Sequence, residues 1–410
     1  MLAGLAIAPD RPWAFALAVG LGVVAVYPWL VYPVLLRAVG ARVRPPVAVD
    51  PVEWPSITVL VAARNEEAHI AERVANVLAQ DYPRDRLAMV CVSDASTDAT
   101  DERFVEASRA LGERAVLVRQ PAQAGKPAAL AAGWRAIQST VRSDLVVLTD
   151  ANSHFEPETL RALARPFVDP RVGAVAGEKR IRVPEGAATH DAGEGFYWRF
   201  EARLRADEGR LGLCQGADGA CWAIRRDLWD GSGPRGRFAD DLWGPLQVLR
   251  QGWQVVAASE AVGSEEAAPN SGAEVQRKRR TYFGLLLLLP HLGWLAAPRH
   301  WGALWCFVSH KAVRLLTPWA LLGHAALLAL AGGVWLAVAG FEVLAAGVLM
   351  LLAMSGVGAS GPFRSLGRAG YFLVALVGPV LAWWDAARAL VRRDPGDAAH
   401  RPTSRSVPPR

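Results

Sequence analysis

Twenty-five consecutive residues, Pro12 to Leu36, carry no charge and are rich in Ala, Leu and Val. At 1.5 Å per helical residue such a run crosses a hydrocarbon core roughly 30 Å thick. Arg37, Arg42 and Arg44 follow the run, and no small-residue cleavage site precedes them. That order predicts an uncleaved anchor with its C-terminal side in the cytoplasm, where a signal peptide would carry its basic residues first. Further apolar runs occupy Leu315 to Phe341, Val343 to Phe363 and Ala369 to Trp384, and another, Thr281 to Pro298, is broken by Pro290 and His291. Leu315 to Phe363 reads as a helical hairpin with an outward-facing tip near Glu342. The flanking arginines leave open whether Thr281 to Pro298 lies flat at the interface or spans.

Composition agrees with a membrane-attached chain: 52% of the 410 residues are hydrophobic, 20% are charged, and the mean hydropathy is +0.17. The net charge of +6 hides a split, since residues 1–275 hold 30 Lys and Arg against 35 Asp and Glu, whereas residues 276–410 hold 15 against 4. A basic, apolar C-terminal third suits a bilayer surface, and no basic stripe interleaved with aromatics points to nucleic acid. The four cysteines (Cys91, Cys214, Cys221, Cys306) form no CxxC pair, so neither a zinc site nor a disulfide framework is expected, and a reducing compartment fits.

Between these apolar ends the pattern changes. Ile57 to Ala63 is a short apolar run followed by a polar turn and a helical face of Ile70, Val74, Val77 and Leu78. The alternation continues with Leu87 to Val92, a helix from about Thr97, a strand at Ala115 to Val118, a helix from about Lys126 and a strand at Leu145 to Leu148. Repeated strand and helix units predict a mostly parallel sheet with helices on both faces, and ligands bind such sheets at the carboxyl ends of the strands. Polar residues stand there: Arg64 to Glu67, Ser93 to Asp98, and Thr149 to Asn152. Singly, Asn65, Ser96 or Thr97, and Ser153 with Glu156 are ordinary helix caps. Together they bring acidic groups from three strands to one edge, which repel unless a cation or ligand lies among them. No GxGxxG or GxxxxGK[ST] loop is present, which argues against a dehydrogenase or P-loop kinase.

The ordered set VLVAARNEE (Val59 to Glu67), Gln80 to Pro83, VSDASTDAT (Val92 to Thr100), GKPAAL (Gly125 to Leu130), LTDAN (Leu148 to Asn152), GADGACWAIRRDLW (Gly216 to Trp229), FADDLWG (Phe238 to Gly244) and QRKRR (Gln276 to Arg280) resembles the inverting family-2 glycosyltransferases. Their nucleotide-sugar-binding domain is called GT-A. The apolar ends are similar to the membrane-integrated branch that includes cellulose, hyaluronan and poly-N-acetylglucosamine synthases. The resemblance implies donor-binding roles for Glu66, Asp94, Lys126, Asp150, Gln276, Arg279 and Arg280. It implies that Asp150, with Asn152 in place of a second carboxylate, holds Mg²⁺ or Mn²⁺ on the donor diphosphate. It also makes Asp241 the catalytic base, with Asp240 beside it. Arg280 stands where the family has a Trp, which weakens the case for processive synthesis. Trp222, Trp229, Trp243 and Trp253 are candidates for a sugar-stacking platform or for core.

The expected organisation is an anchor and linker over residues 1–54, a cytosolic GT-A domain over 55–280, an interfacial helix and transmembrane helices over 281–390, and a basic tail over 391–410. The expected function is transfer of a sugar from a nucleotide-diphospho-sugar, of which a UDP-sugar is the first choice, to a hydroxyl of a lipid-linked or glycan acceptor. The setting is a multi-pass protein of the cell's inner membrane. A product-translocating polysaccharide synthase and a non-catalytic scaffold are the alternatives.

Overall fold

The computed structural model describes residues 8–44, 46, 48–141, 143–182, 189–234, 239–266, 271–355 and 364–392. Helices α1 (Pro12–Val26) and α2 (Tyr32–Gly40) are joined without a break by a π-helical turn (Tyr27–Val31). The chain then runs β1 (Ile57–Ala63), α3 (Ile70–Leu78), β2 (Leu87–Ser93), α4 (Thr100–Ala107), β3 (Ala115–Arg119), α5 (Lys126–Thr140), β4 (Leu145–Asp150), β5 (His154–Phe155), α6 (Thr159–Ala164), β6 (Val172–Arg182), α7 (Thr189–Arg210), β7 (Trp222–Arg225), α8 (Asp240–Arg250) and β8 (Gln254–Glu266). It ends in α9 (Ser271–Leu288), α10 (Trp301–Phe307), α11 (Val313–Ala331), α12 (Val334–Ser355) and α13 (Arg364–Arg392).

The eight strands form one sheet in the order β3-β2-β1-β4-β7-β6-β8-β5. Strands β1 to β4 pair in parallel, as their helical crossovers require. The sheet is mostly parallel, as expected, and β6 pairs with β8 in the same sense; the exceptions are β7, antiparallel to β4 and β6, and β5, antiparallel to β8. β5 follows β4 through a three-residue turn with no crossover helix, so nothing returns it in the parallel sense. The strands read as continuous apolar runs because both faces are covered. Leu60, Val90, Val92, Val146 and Leu148 point to the side of α5 and α8, whereas Val59, Val61, Met89, Cys91 and Val147 point to the side of α3, α4 and α6. All four cysteines are buried free thiols.

The segment Thr281 to Pro298 does not form a separate apolar helix. α9 carries the QRKRR motif straight into it and ends at Leu288, after which short 3₁₀ turns follow. Leu285, Leu288, Leu292 and Leu295 join the same core as the sheet. Pro298 to Ala331 is the second long apolar helix, again with a π-helical turn, at Val308–Ala312. It packs against α1, and the two π turns are joined by Tyr27 Oη and Ser309 Oγ, 2.8 Å apart. The hairpin tip lies at Gly332 and Gly333, not at Glu342. Both glycines have positive φ (78° and 57°), which ends α11 where L side chains are strained. Glu342 instead lies inside α12, its Oε2 3.2 Å from His324 Nε2. Residues 356–363 of the third apolar run, Phe238 of the FADDLWG motif and residues 393–410 of the basic tail lie outside the described residues.

Candidate active site

The strand-end loops are cross-linked before any ligand is considered. Asn65 and Ala95 both take φ of 52°, which turns the chain sharply after β1 and β2. Asn65 Oδ1 accepts from Thr97 N at 2.9 Å, Ser96 Oγ from Asn65 N at 3.2 Å, and Thr100 Oγ1 from Glu66 N at 2.8 Å. α4 starts at Thr100 and not near Thr97; Asp98 Oδ1 accepts the Thr100 N–H at 3.1 Å and holds the turn that precedes it. The Glu66 carboxylate lies on this edge, 2.9 Å from His69 Nδ1.

Asp94 at the end of β2 is buried, and its two oxygens accept from Ala124 N (2.7 Å) and Gly125 N (2.9 Å). This ties down the turn into α5, whose first residue is Lys126. Lys126 Nζ reaches Asp150 Oδ1 at 2.9 Å and Asp240 Oδ2 at 3.4 Å. Burial alone would lower the lysine pKa, but Asp150 and Asp240 outweigh it and hold the ammonium well above its ordinary value. Asp150 comes from the end of β4, and the turn after it, with Asn152, is held by the buried Arg73, which donates to Ser153 O at 2.8 Å.

Asp240 and Asp241 open α8. Asp240 is buried, and apart from the 3.4 Å approach of Lys126 its Oδ2 has no hydrogen-bond donor. Asp241 is half-buried. Desolvation first, and the neighbouring Asp240 second, push its carboxyl up to about 7. Desolvation also raises Asp240, against the pull of Lys126. Gly219 is the point where these groups meet. A Cβ placed on it would lie 3.4 Å from Lys126 Nζ, 3.5 Å from Asp150 Oδ2 and 4.0 Å from Asp241 Oδ2. The fold therefore brings Lys126, Asp150, Asp240 and Asp241 to one place, from α5, β4 and α8.

It does not bring Arg279 there. Arg279 is bidentate on Asp385 of α13, at 2.5 Å from Nε to Oδ2 and 2.5 Å from Nη2 to Oδ1. Residues two apart on a helix lie about 200° apart, so Arg279 and Arg277 face opposite ways. Lys278 is the buried residue of the motif, its Nζ 3.4 Å over the Tyr197 ring, and the half-buried Arg277 pairs with the buried Glu274 and lies over the Trp198 ring at 5.3 Å. Gln276 is exposed and sits 3.5 Å from Arg279 Nη1, and Arg280 is exposed. Of the four tryptophans proposed as a platform, Trp222, Trp229 and Trp243 are buried in the sheet core and Trp253 packs against it.

Two charged residues around Asp218, Lys179 and Arg205, carried no sequence signal. Asp218, in the turn before β7, lies 3.9 Å from Lys179 Nζ and 3.6 Å from Arg205 Nη1, and Lys179 also pairs with Glu265 at 2.6 Å. Asp218 and Gly219 belong to the GADGACW motif, but Lys179 and Arg205 come from β6 and α7, where no spacing marks them. No group of three or more His, Cys, Asp or Glu gathers in metal-holding geometry among the described residues.

Residues 55–284 match a family model described as Glycosyltransferase like family 2. The chain belongs to this family. Among its relatives is a beta-monoglucosyldiacylglycerol synthase of Synechocystis sp., 33% identical over 132 residues, 32% of this chain and 26% of the relative. An N-acetylglucosaminyltransferase of Rhizobium leguminosarum bv. viciae is 26% identical over 253 residues, 58% of each chain. The chain thus spans about a quarter of the first relative and under two thirds of the second. The solved mannosyltransferase PcManGT from Pyrobaculum calidifontis, in complex with GDP-Man and Mn²⁺, superposes with a TM-score of 0.69 at 25% identity, covering 91% of this chain and 99% of that one.

Proposed function

We propose that this family-2 chain is a membrane-bound inverting glycosyltransferase that moves a sugar from a nucleotide-diphospho-sugar to a hydroxyl of a lipid-linked or glycan acceptor. The observation that carries the reading is the convergence of Asp241, poised near neutral pH, with the Lys126–Asp150 pair across a bare Gly219. Inverting transfer needs a base on the face of the sugar opposite the leaving group. Asp241 takes the proton of the acceptor hydroxyl, the acceptor oxygen bonds to the anomeric carbon, and the bond to the nucleoside diphosphate breaks with its electron pair on the departing oxygen. Lys126 faces the leaving phosphates. Glu66 and Asp94 hold the nucleoside edge, Asp94 by ordering the turn that presents Lys126.

Asp150 and Asn152 are oxygen donors suited to Mg²⁺ or Mn²⁺. Two carboxylates, Asp150 and Asp240, share the Lys126 ammonium, and Asp240 keeps a buried oxygen without a hydrogen bond, so Asp150 and Asn152 fit a cation that draws its other ligands from the donor. When bound, the ion offsets charge on the leaving diphosphate. The neighbour solved in complex with GDP-Man and Mn²⁺ supports this, and it widens the donor question from UDP-sugars to GDP-sugars.

Among the described residues two helices are long and apolar enough to cross a bilayer, Pro12–Gly40 and Pro298–Ala331, with mean hydropathies of 2.1 and 1.5. They leave Leu17, Leu30, Val34, Trp319 and Leu322 exposed, a surface that favours lipid over water. Arg11 N donates to Ala331 O at 3.1 Å, so the start of α1 and the end of α11 share one end of the bundle. This agrees with an anchor whose C-terminal end, and with it the GT-A domain, lies on the cytoplasmic side of the inner membrane. The test is release of nucleoside diphosphate from UDP- and GDP-sugars by detergent-purified protein with membrane lipid extract. One donor should turn over, and Asp241→Asn should abolish it; turnover in the variant equal to wild type would refute the reading.

A further inference from the structure

The two long apolar helices meet at an open groove of about 500 Å³, lined by Tyr27, Trp301, Leu304, Trp305, Val308 and Ser309. Apolar walls of this extent with one polar pair are the make-up of a small-molecule site. Trp301, Leu304, Trp305 and Val308 stand at i, i+3, i+4 and i+7, so they form one helix face. The other faces turn to protein: Ala303 and Phe307 join the sheet core, and a Cβ on Gly302 would lie 2.9 Å from Leu213 Cδ1. Tyr27, Val308 and Ser309 belong to the two π-helical turns, whose Tyr27 Oη and Ser309 Oγ lie 2.8 Å apart. Ser309 is buried, which makes this pair the floor of the groove. π turns are rare and occur frequently at functional sites, and here two of them face each other.

The groove is continuous with the surface that favours lipid, since Trp301 and Val308 in its wall and Val26 and Leu30 on either side of Tyr27 are all exposed. Tyr27 stands about 22 Å along the helix from Pro12. In a hydrocarbon core roughly 30 Å thick it therefore lies nearer the cytoplasmic boundary, the level that suits Tyr and Trp. Behind the groove the wall leads to the proposed base. Trp305 packs edge-on against Tyr32, with ring centroids 5.3 Å apart; Tyr32 Oη donates to Glu208 Oε1 at 2.8 Å, and Gln215 N donates to Glu208 Oε2 at 3.2 Å. Two residues on, Ala217 N donates to Asp241 O at 2.7 Å. The stretch from Leu213, against Gly302, to Ala217 spans at most about 14 Å. One helix and one short stretch of chain thus separate the groove from Asp241. A hydrocarbon chain gains no hydrophobic free energy by exchanging lipid tails for protein, so a groove of this kind selects by shape and packing.

We propose that this groove holds the hydrocarbon chain of the acceptor lipid and so sets the hydroxyl of its head group toward Asp241. The continuity of the groove with the lipid-facing helices, and the bonded path from its wall to the segment that holds Asp241, carry the proposal. It rests on the membrane-bound glycosyltransferase reading and narrows the acceptor from a lipid or a glycan to a lipid whose chain docks on the protein.

The experiment uses the full chain in nanodiscs that contain a total membrane lipid extract, with radiolabelled sugar donor. A photoreactive benzophenone amino acid in place of Val308, irradiated during turnover, should attach radiolabelled glycolipid to the protein. The same amino acid in place of Leu322, exposed on the same apolar helix outside the groove, should attach little or none. Val308→Trp should fill the groove and raise the KM for the extract about tenfold or more with the donor KM unchanged, whereas Leu322→Trp should change neither. Label captured equally at both positions, capture of unlabelled phospholipid alone at position 308, or label recovered only in a water-soluble glycan would overturn the proposal. A KM for the extract equal to wild type in a folded Val308→Trp would overturn it as well. Melting temperatures establish folding, and where Val308→Trp does not fold the cross-link decides alone. Failure of every donor to turn over would instead refute the underlying function.

Discussion

The carboxyl of Asp241 is held near 7, and this sets the pH dependence of the reaction. A base acts only when ionised. Burial and the adjacent Asp240 both disfavour the carboxylate, so kcat/KM should rise with pH through about 7. At pH 6 about one molecule in eleven carries the ionised base, which predicts a rate roughly tenfold below the plateau, and at pH 5 roughly a hundredfold below it. Asp241→Asn removes the base and should cost about 10²–10⁴ in kcat, with the acidic limb gone from whatever turnover remains. Asp240→Asn is the sharper test. It removes the second cause of the shift and leaves the first, so the limb should move to lower pH without reaching the ordinary carboxylate range. Stability should run the other way. A carboxyl raised on folding binds a proton more tightly in the native state, so its contribution is present below the unfolded pKa near 4 and is lost as pH rises towards 7. The assay is nucleoside diphosphate release in detergent between pH 5 and 9, with melting temperatures over the same range. A wild-type profile flat down to pH 5, or an unchanged limb near 7 in Asp241→Asn, would refute the assignment.

Gly219→Val should abolish turnover with little change in melting temperature, because its side chain would occupy the space shared by Lys126, Asp150 and Asp241; turnover near wild type would show that the sugar does not pass there. Asp385→Ala should lower stability by about 2–3 kcal/mol, less than a fully buried pair because Arg279 remains 28% exposed, and should leave the donor KM unchanged. A donor KM raised tenfold would return Arg279 to the donor site. EDTA should stop the reaction and Mn²⁺ or Mg²⁺ restore it, while Asn152→Asp should lower the metal concentration needed for half-maximal rate; activity indifferent to EDTA would remove the cation from the mechanism.

Much of the cleft was legible because its residues sit at ends of elements that the sequence marks. The apolar run Leu145 to Leu148 announces a strand, and Asp150 follows it; the alternation places Asp94 and Lys126 on the same edge. The role of Asp94 was not legible, because acceptance from Ala124 N and Gly125 N depends on a turn of positive φ at Gly125. Arg279 was misplaced for a related reason. A motif names residue types in order, but helical phase decides which way Arg277 and Arg279 face, and packing against α13 sets that phase. Gly378 allows the contact: a Cβ there would lie 2.5 Å from Lys278 Cβ. The hairpin tip moved from Glu342 to Gly332 because backbone strain, and not charge, ends a helix inside an apolar run.

The sequence by itself determined the alternation of strands and helices, the apolar ends and the acidic strand-end set, all of which follow from local periodicity and composition. Only the tertiary structure decided that β7 and β5 run antiparallel, that Thr281 to Pro298 packs on the sheet core, and that Arg205 of α7 pairs with Asp218 in the turn before β7. These depend on contacts between residues tens to hundreds of positions apart. Burial and electrostatic coupling belong to the folded arrangement, and no local pattern encodes them.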